Sequence, residues 1–139
     1  MSYAIEVKCL SRHFGDVLAV NDISFSVKKG ELFGFLGPNG AGKTTTQRML
    51  TGILKPDRGE IKIMGYSLLK NPFHAKMEMG IVPETANAYT DLTAWENLML
   101  AADLYNVSRV KREKRGQELL ESLELIDRKD SRTGGFSKG

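Results

Sequence analysis

Apolar and polar residues alternate from Tyr3 to Cys9, with Tyr3, Ile5, Val7 and Cys9 in one phase and Ala4, Glu6 and Lys8 in the other. This period of two predicts a half-buried strand. Ile23, Phe25 and Val27 repeat the pattern around Ser24 and Ser26. Lys28-Lys29-Gly30-Glu31 then reads as a hairpin connection into Leu32-Phe33-Gly34-Phe35-Leu36, an almost continuous apolar run of the kind that forms a strand buried on both faces. Lys43 to Leu50 is the first helix candidate, stopped by Gly52. Lys55-Pro56-Asp57-Arg58-Gly59 is a turn, and Glu60 to Met64 alternates again, with Ile61 and Ile63 on one face. From Asn71-Pro72 to Gly80 the chain suggests a short helix with Asn as cap, Pro at the first helical position and Gly as the stop.

Beyond Ile81-Val82-Pro83 strands give way to helices. Thr93-Ala94-Trp95-Glu96 fits a capping box, and Trp95, Leu98, Met99 and Ala102 follow at helical spacing. A charged helix is expected from about Val110, with Leu119, Leu120, Leu123 and Ile126 as its apolar stripe. The division is therefore a β/α first part, residues 1–83, and a helical second part, residues 84–139.

Composition narrows the function classes. Twenty Lys and Arg against 17 Asp and Glu leave a net charge of only +3 in 139 residues, so a dedicated nucleic-acid binder is not suggested. The single cysteine, Cys9, has no partner for an internal disulfide, and no CxxC or His/Cys cluster is present to hold zinc or iron. No run approaches the roughly 18 apolar residues of a membrane span, and the start lacks the features of a secretory leader. A soluble, unprocessed protein in a reducing interior is the expectation. His13 and His74 have no Ser/Asp or Cys partner that would suggest a hydrolase triad and read as surface residues.

Glycine is the compositional outlier: 4 of the 14 lie between Gly34 and Gly42. Gly37-Pro38-Asn39-Gly40-Ala41-Gly42-Lys43-Thr44 matches G-x-x-x-x-G-K-[ST] in full, between an expected strand and an expected helix. The glycines let the backbone wrap a phosphate chain, so that N–H groups and the following helix N-terminus face anionic oxygens. Lys43 would reach the terminal phosphates, and the Thr44 hydroxyl would ligate Mg²⁺. The match does not by itself choose among kinases, GTPases and transport ATPases. The N-K-x-D selector of guanine readers is absent.

Extended to Gly34-Phe35-Leu36 before the loop and Thr45-Thr46 after it, the sequence resembles the ATP-binding subunits of ABC transporters. More narrowly, it resembles the group that powers ABC-2 type exporters. The resemblance runs from about Ser2 to Gly139. It includes Leu50-Thr51-Gly52-Ile53-Leu54-Lys55-Pro56-Asp57-Arg58-Gly59-Glu60 after the loop, and Asp91-Leu92-Thr93-Ala94-Trp95-Glu96-Asn97-Leu98 at the start of the helical part. The fold it implies is α/β, a P-loop NTPase of the ABC type: an N-terminal antiparallel β subdomain, part of a mixed α/β core and the start of a helical subdomain, incomplete at this length.

The resemblance also assigns roles. Asn39, Gly40, Ala41, Gly42, Lys43, Thr44 and Thr45 would bind the nucleotide. Phe14, in Arg12-His13-Phe14-Gly15, stands where the family has an aromatic that stacks on adenine; read from the residues alone, a core Phe in a β-hairpin is the alternative. Glu84 stands where the family has a Gln that senses Mg²⁺ and the γ-phosphate. The change adds a negative charge, although a carboxylate can also ligate the ion. A solvated loop Glu is the plainer alternative. Phe136-Ser137-Lys138-Gly139 takes the place of the first four signature residues, with Ser137 and Gly139 matching. That loop contacts the ATP held by the opposite subunit, so a dimer is implied; a flexible Gly/Ser-rich tail is the alternative reading of the residues.

ATP and Mg²⁺ are the implied cofactors. A second ATP-binding subunit and a polytopic transmembrane subunit are the implied partners, at the cytoplasmic face of the membrane, with no nucleic acid. The family's catalytic glutamate and Mg²⁺-binding aspartate lie on a strand after the signature and have no counterpart in these 139 residues. Leu98-Met99-Leu100-Ala101-Ala102-Asp103 imitates that strand in composition, but it follows a capping box and keeps helical spacing. A fragment without ATP turnover of its own is expected, from a parent that hydrolyses ATP. Two other readings stay open at this point: a soluble ABC-type ATPase acting on nucleic acid or in translation, and a nucleotide-binding module that never hydrolyses.

Overall fold

The computed structural model describes residues 2–82 and 88–136, which form two compact units, Met1–Ile81 and Val82–Gly139. In the first, β1 (Tyr3–Phe14) and β2 (Val17–Lys28) form a long antiparallel hairpin turning at Gly15-Asp16. β3 (Arg58–Ile63) and β4 (Tyr66–Ser67) complete an antiparallel sheet of order β2-β1-β3-β4. Val7, Leu10, Val20, Ile61 and Ile63 point from this sheet into one core, where α1 (Lys43–Leu50) contributes the fully buried Met49. The short α2 (Pro72–Met77) adds Ala75.

β1 departs from simple alternation. Its register against β2 runs Val7↔Phe25 and then Leu10↔Ile23, so β1 carries one extra residue between these pairs. This bulge re-phases the strand. Leu10 becomes fully buried and Cys9, expected in the apolar phase, is exposed with φ 47°. The Cys9 N–H donates instead to Ser24 Oγ at 2.8 Å. β3 meets the bulge at Gly59, where a Cβ would come within 2.5 Å of the Lys8 and Cys9 carbonyl oxygens and φ is +95°. Only glycine allows that approach.

The run from Leu32 to Leu36 forms no strand, which corrects the expectation of a doubly buried one. Leu32 is 100% and Leu36 93% exposed. A strand needs a neighbour for its backbone groups, and among the described residues none pairs with this stretch. Its aromatics pack on β2 instead: the Phe33 ring stacks on Phe25 at 5.3 Å and Phe35 tilts against it at 5.7 Å. Asn71 corrects a second expectation. It precedes α2 but makes no side-chain cap, its N–H donating to Ser67 O and its carbonyl accepting from Ala75 N–H.

In the second unit, α3 (Ala94–Leu104) begins with the expected capping box: Thr93 Oγ1 accepts from the Glu96 N–H and Glu96 Oε2 from the Thr93 N–H. Leu98 to Asp103 lie inside this helix, and Asp103 pairs with Arg112 on α4 (Arg109–Ser122). Leu120 is buried in α4, while Leu123 is exposed beyond its end and Ile126 begins a 3₁₀ turn, so the apolar stripe is shorter than its spacing suggests. Asn97 ties the unit together. Its amide donates to the Tyr89 and Thr93 carbonyls at 3.0 and 2.9 Å and accepts from the Tyr89 N–H at 2.8 Å.

The Thr93 N–H bond holds the Glu96 carboxyl below its ordinary value of 4.5. A depressed folded pKa contributes stability that is present above the unfolded value and lost as pH falls through the folded one. The thermal midpoint of the wild-type protein is therefore expected to exceed that of Glu96→Gln at pH 7, the gap closing below about pH 4.5. A gap that stays constant down to pH 2 would show that the charge contributes nothing.

Candidate functional site

The loop from Gly37 to Thr44 leads into α1, and the backbone of β2 shapes it. Gly42 is the N-cap of α1 with φ 80°, and its carbonyl accepts the Thr46 N–H at 2.8 Å. A Cβ on Gly42 would lie 2.3 Å from the Ala19 carbonyl oxygen and 3.1 Å from Val20 Cγ2. The loop can reach β2 this closely only without a side chain at that point. Ala41 N–H donates to Pro38 O at 3.3 Å, and Lys43 Nζ donates to the Gly37 and Pro38 carbonyls at 2.6 Å each. The lysine thus closes the loop on itself and centres its ammonium there.

Three sources of positive potential converge. The first N–H groups of a helix lack intrahelical acceptors, the helix dipole places a partial positive charge at the same end, and the first turn of α1 holds no acidic residue to offset it. Lys43 adds a full charge. The cleft in front, about 310 Å³, is walled by Asn39, Gly40, Gly42, Lys43, Thr44 and Thr45 on one side and by Val17, Leu18 and Ala19 of β2 on the other. Such a concavity suits a chain of phosphates. Six of the seven residues from Asn39 to Thr45 singled out in the sequence line it, and Ala41 does not. The β2 wall has no contiguous signal in the sequence, because Val17–Ala19 meet the loop through a tertiary approach.

Phe14 ends β1 opposite Val17, and paired strand residues share a face. Its ring is 47% exposed, which sets aside the reading as a core aromatic, and it is not itself a wall of the cleft. The Arg12 guanidinium carbon lies over the ring, 5.1 Å from its centroid. Arg12 Nη1 in turn donates to Asp57 Oδ1 at 2.6 Å and Lys55 O at 3.2 Å, while Asp57 Oδ2 accepts the His13 N–H at 2.7 Å. The His13 N–H, and after it the Arg12 charge, hold the Asp57 carboxyl below the usual carboxylate range.

Glu84, Ser137 and Gly139 lie outside the described residues. The approach to the last two is described: Thr133–Gly135 form a 3₁₀ turn, with Thr133 and Gly134 N–H groups donating to the Leu92 and Thr90 carbonyls. Among the described residues no group of three or more His, Cys, Asp or Glu side chains is placed to hold a metal ion.

The family model described as ABC transporter matches residues 20–139. The chain belongs to the ABC transporter family. Relatives include the linearmycin resistance ATP-binding protein LnrL of Bacillus subtilis, 41% identical over 97% of this chain and 43% of its own length. A second is the Nod factor export ATP-binding protein I of Burkholderia orbicola, 39% identical over 97% of this chain and 44% of its own length. This ABC family chain thus spans less than half the length of the curated relatives it matches. A solved ATP-binding subunit of an ABC transporter superposes with a TM-score of 0.89 at 38% identity, covering 97% of this chain and 56% of its own. An ATP-binding cassette of an ABC transporter in its ADP conformation superposes with a TM-score of 0.76 at 26% identity, covering 99% and 60%. The P-loop NTPase fold expected from the sequence is the fold of these neighbours.

Proposed function

We propose that this chain binds Mg-ATP in the cleft between α1 and β2 and serves as the energy-coupling part of an ABC exporter. The observation that carries the reading is the loop geometry. Gly42 lies against the Ala19 carbonyl without a Cβ, and this seats the α1 N-terminus and the Lys43 ammonium on one concavity. Lys43 uses two of its three N–H groups on Gly37 and Pro38 and retains one for an anionic oxygen. Asn39, Gly40, Gly42 and Thr45 shape the path of the phosphates, and the Phe14 ring offers a stacking face for the base.

Magnesium fits the same site. The ion keeps several waters and takes one or two protein ligands besides phosphate oxygens. The Thr44 hydroxyl, on the cleft wall in the first turn of α1, suits that demand. Bound there, the ion would neutralise phosphate charge. Glu84 is proposed as a second group near it, and Ser137 and Gly139 as contacts to the ATP of a second subunit, on resemblance alone.

Export is supported by the relatives' names, one of which is a Nod factor export ATP-binding protein. Among the described residues no helix is long and apolar enough to cross a membrane. A separate polytopic membrane subunit, with this chain docked at its cytoplasmic face, is part of the proposal on the resemblance to ABC transporter ATP-binding subunits. The full-length protein, affinity-purified from detergent-solubilised membranes, is expected to bring down a polytopic membrane protein and to hydrolyse ATP. Recovery from the soluble fraction alone, bound to nucleic acid, would overturn the transport reading.

A further inference from the structure

Phe14 stands at a hairpin tip, where a half-exposed aromatic ring ordinarily keeps its rotamer freedom. Here it does not stand alone. We propose that Arg12 and Asp57 are positioning residues for the nucleotide base: Asp57 fixes the Arg12 guanidinium, and the guanidinium backs one face of the Phe14 ring so that the other face is presented for stacking. The inference rests on the reading of Phe14 as the base platform and goes beyond it.

Four observations carry it. The Arg12 guanidinium lies over the ring at 5.1 Å, within the range of a cation–π contact. Its Nη1 is held twice from the turn after α1, by the Asp57 carboxylate at 2.6 Å and the Lys55 carbonyl at 3.2 Å. Arg12 Nε is buried with no hydrogen-bond partner. An unpartnered buried donor is costly, so the guanidinium keeps its place over the ring and against the carboxylate at the expense of a bond from Nε. Finally, the second Asp57 oxygen accepts the His13 N–H at 2.7 Å, and the Asp57 N–H donates to Ser11 O at 3.0 Å, so one residue pins the strand end on both sides of Arg12. The turn and the tip lie 45 positions apart in sequence, and this carboxylate joins them.

The chemical consequence concerns only the base. Ordering a ring in advance removes part of the entropy that stacking would otherwise cost. The phosphates would be held in the cleft by the α1 N-terminus and Lys43, and neither Arg12 nor Asp57 lines that cleft. Stacking reads the π-face of a base and not its edge, so adenine and guanine nucleotides should be affected alike.

The test is calorimetric titration of the full-length protein and of Arg12→Ala, Asp57→Asn and Phe14→Ala with ATP, GTP and inorganic triphosphate. Both positioning variants are expected to lose about three- to tenfold in affinity for ATP and GTP, with triphosphate affinity within about twofold of wild type. Phe14→Ala is expected to lose at least as much for the nucleotides and nothing for triphosphate. Nucleotide affinity unchanged in Arg12→Ala and Asp57→Asn but reduced in Phe14→Ala would overturn this inference and leave the platform standing. Unchanged affinity in Phe14→Ala would remove the platform and the inference together. Parallel loss of triphosphate in the positioning variants, including loss through unfolding, would show a purely structural role and overturn the inference as well.

Discussion

Alanine at Gly42 is expected to destabilise the Met1–Ile81 unit by about 2–5 kcal/mol. A left-handed backbone with a Cβ costs roughly 1–2 kcal/mol, and Gly42 sits at φ 80°. The new methyl would also begin 2.3 Å from the Ala19 carbonyl oxygen, a backbone atom that no rotamer change can move. Forcing atoms into a packed site costs typically about 1–3 kcal/mol more. For a domain of this size each kcal/mol corresponds to about 4–8 °C in thermal midpoint, so a drop on the order of 10 °C or more should be seen by differential scanning calorimetry. Gly40→Ala is the internal control. Gly40 has the same left-handed backbone, φ 82°, but open space around the position of a Cβ. It should show the conformational part alone. Equal losses in the two variants would mean that the approach of the loop to β2 contributes nothing.

The contrast between these two glycines marks the limit of what the sequence discloses. The loop motif is contiguous, so its residue types, spacing and following helix can be read directly, and five of its residues, with Thr45 just after it, line the cleft. The capping box of α3 is local in the same sense. That Gly42, and not Gly40, meets the Ala19 carbonyl depends on a strand more than twenty positions away. The Arg12–Asp57 pair and the packing of Phe33 and Phe35 on Phe25 are non-local too.

Sequence and structure part where a local rule meets a tertiary one. Period-2 alternation places Cys9 in phase with Val7, but the bulge inserts a residue and turns Cys9 out. The apolar run at Leu32–Leu36 has the composition of a buried strand, yet composition does not supply a hydrogen-bonding neighbour. Without one among the described residues, its aromatic rings decide where it lies. Asn71 has the residue type of a cap, but backbone bonds to Ser67 and Ala75 hold the start of α2 without its side chain.

Lys43→Ala is expected to weaken Mg-ATP binding by about tenfold or more. In the wild type the ammonium spans the Gly37 and Pro38 carbonyls at 2.6 Å each, which keeps the charge at the head of the cleft and leaves one N–H for a phosphate oxygen. A hydrogen bond to a charged group contributes about 1.5–3 kcal/mol. At about 1.4 kcal/mol per decade that is roughly ten- to hundredfold in affinity. The α1 N-terminus and the loop N–H groups remain in the variant, so binding should weaken rather than vanish. Because the charge is the larger part of the loss, a neutral substitution of similar length, Lys43→Met, should behave like alanine, whereas Lys43→Arg should retain part of the affinity. Its guanidinium is cationic but carries a planar fork in place of a compact ammonium. Calorimetric titration with Mg-ATP, with circular dichroism to establish that each variant is folded, decides the matter. Wild-type affinity in folded Lys43→Ala would mean that the lysine serves only to brace the loop carbonyls and that the phosphate chain is held by the backbone alone.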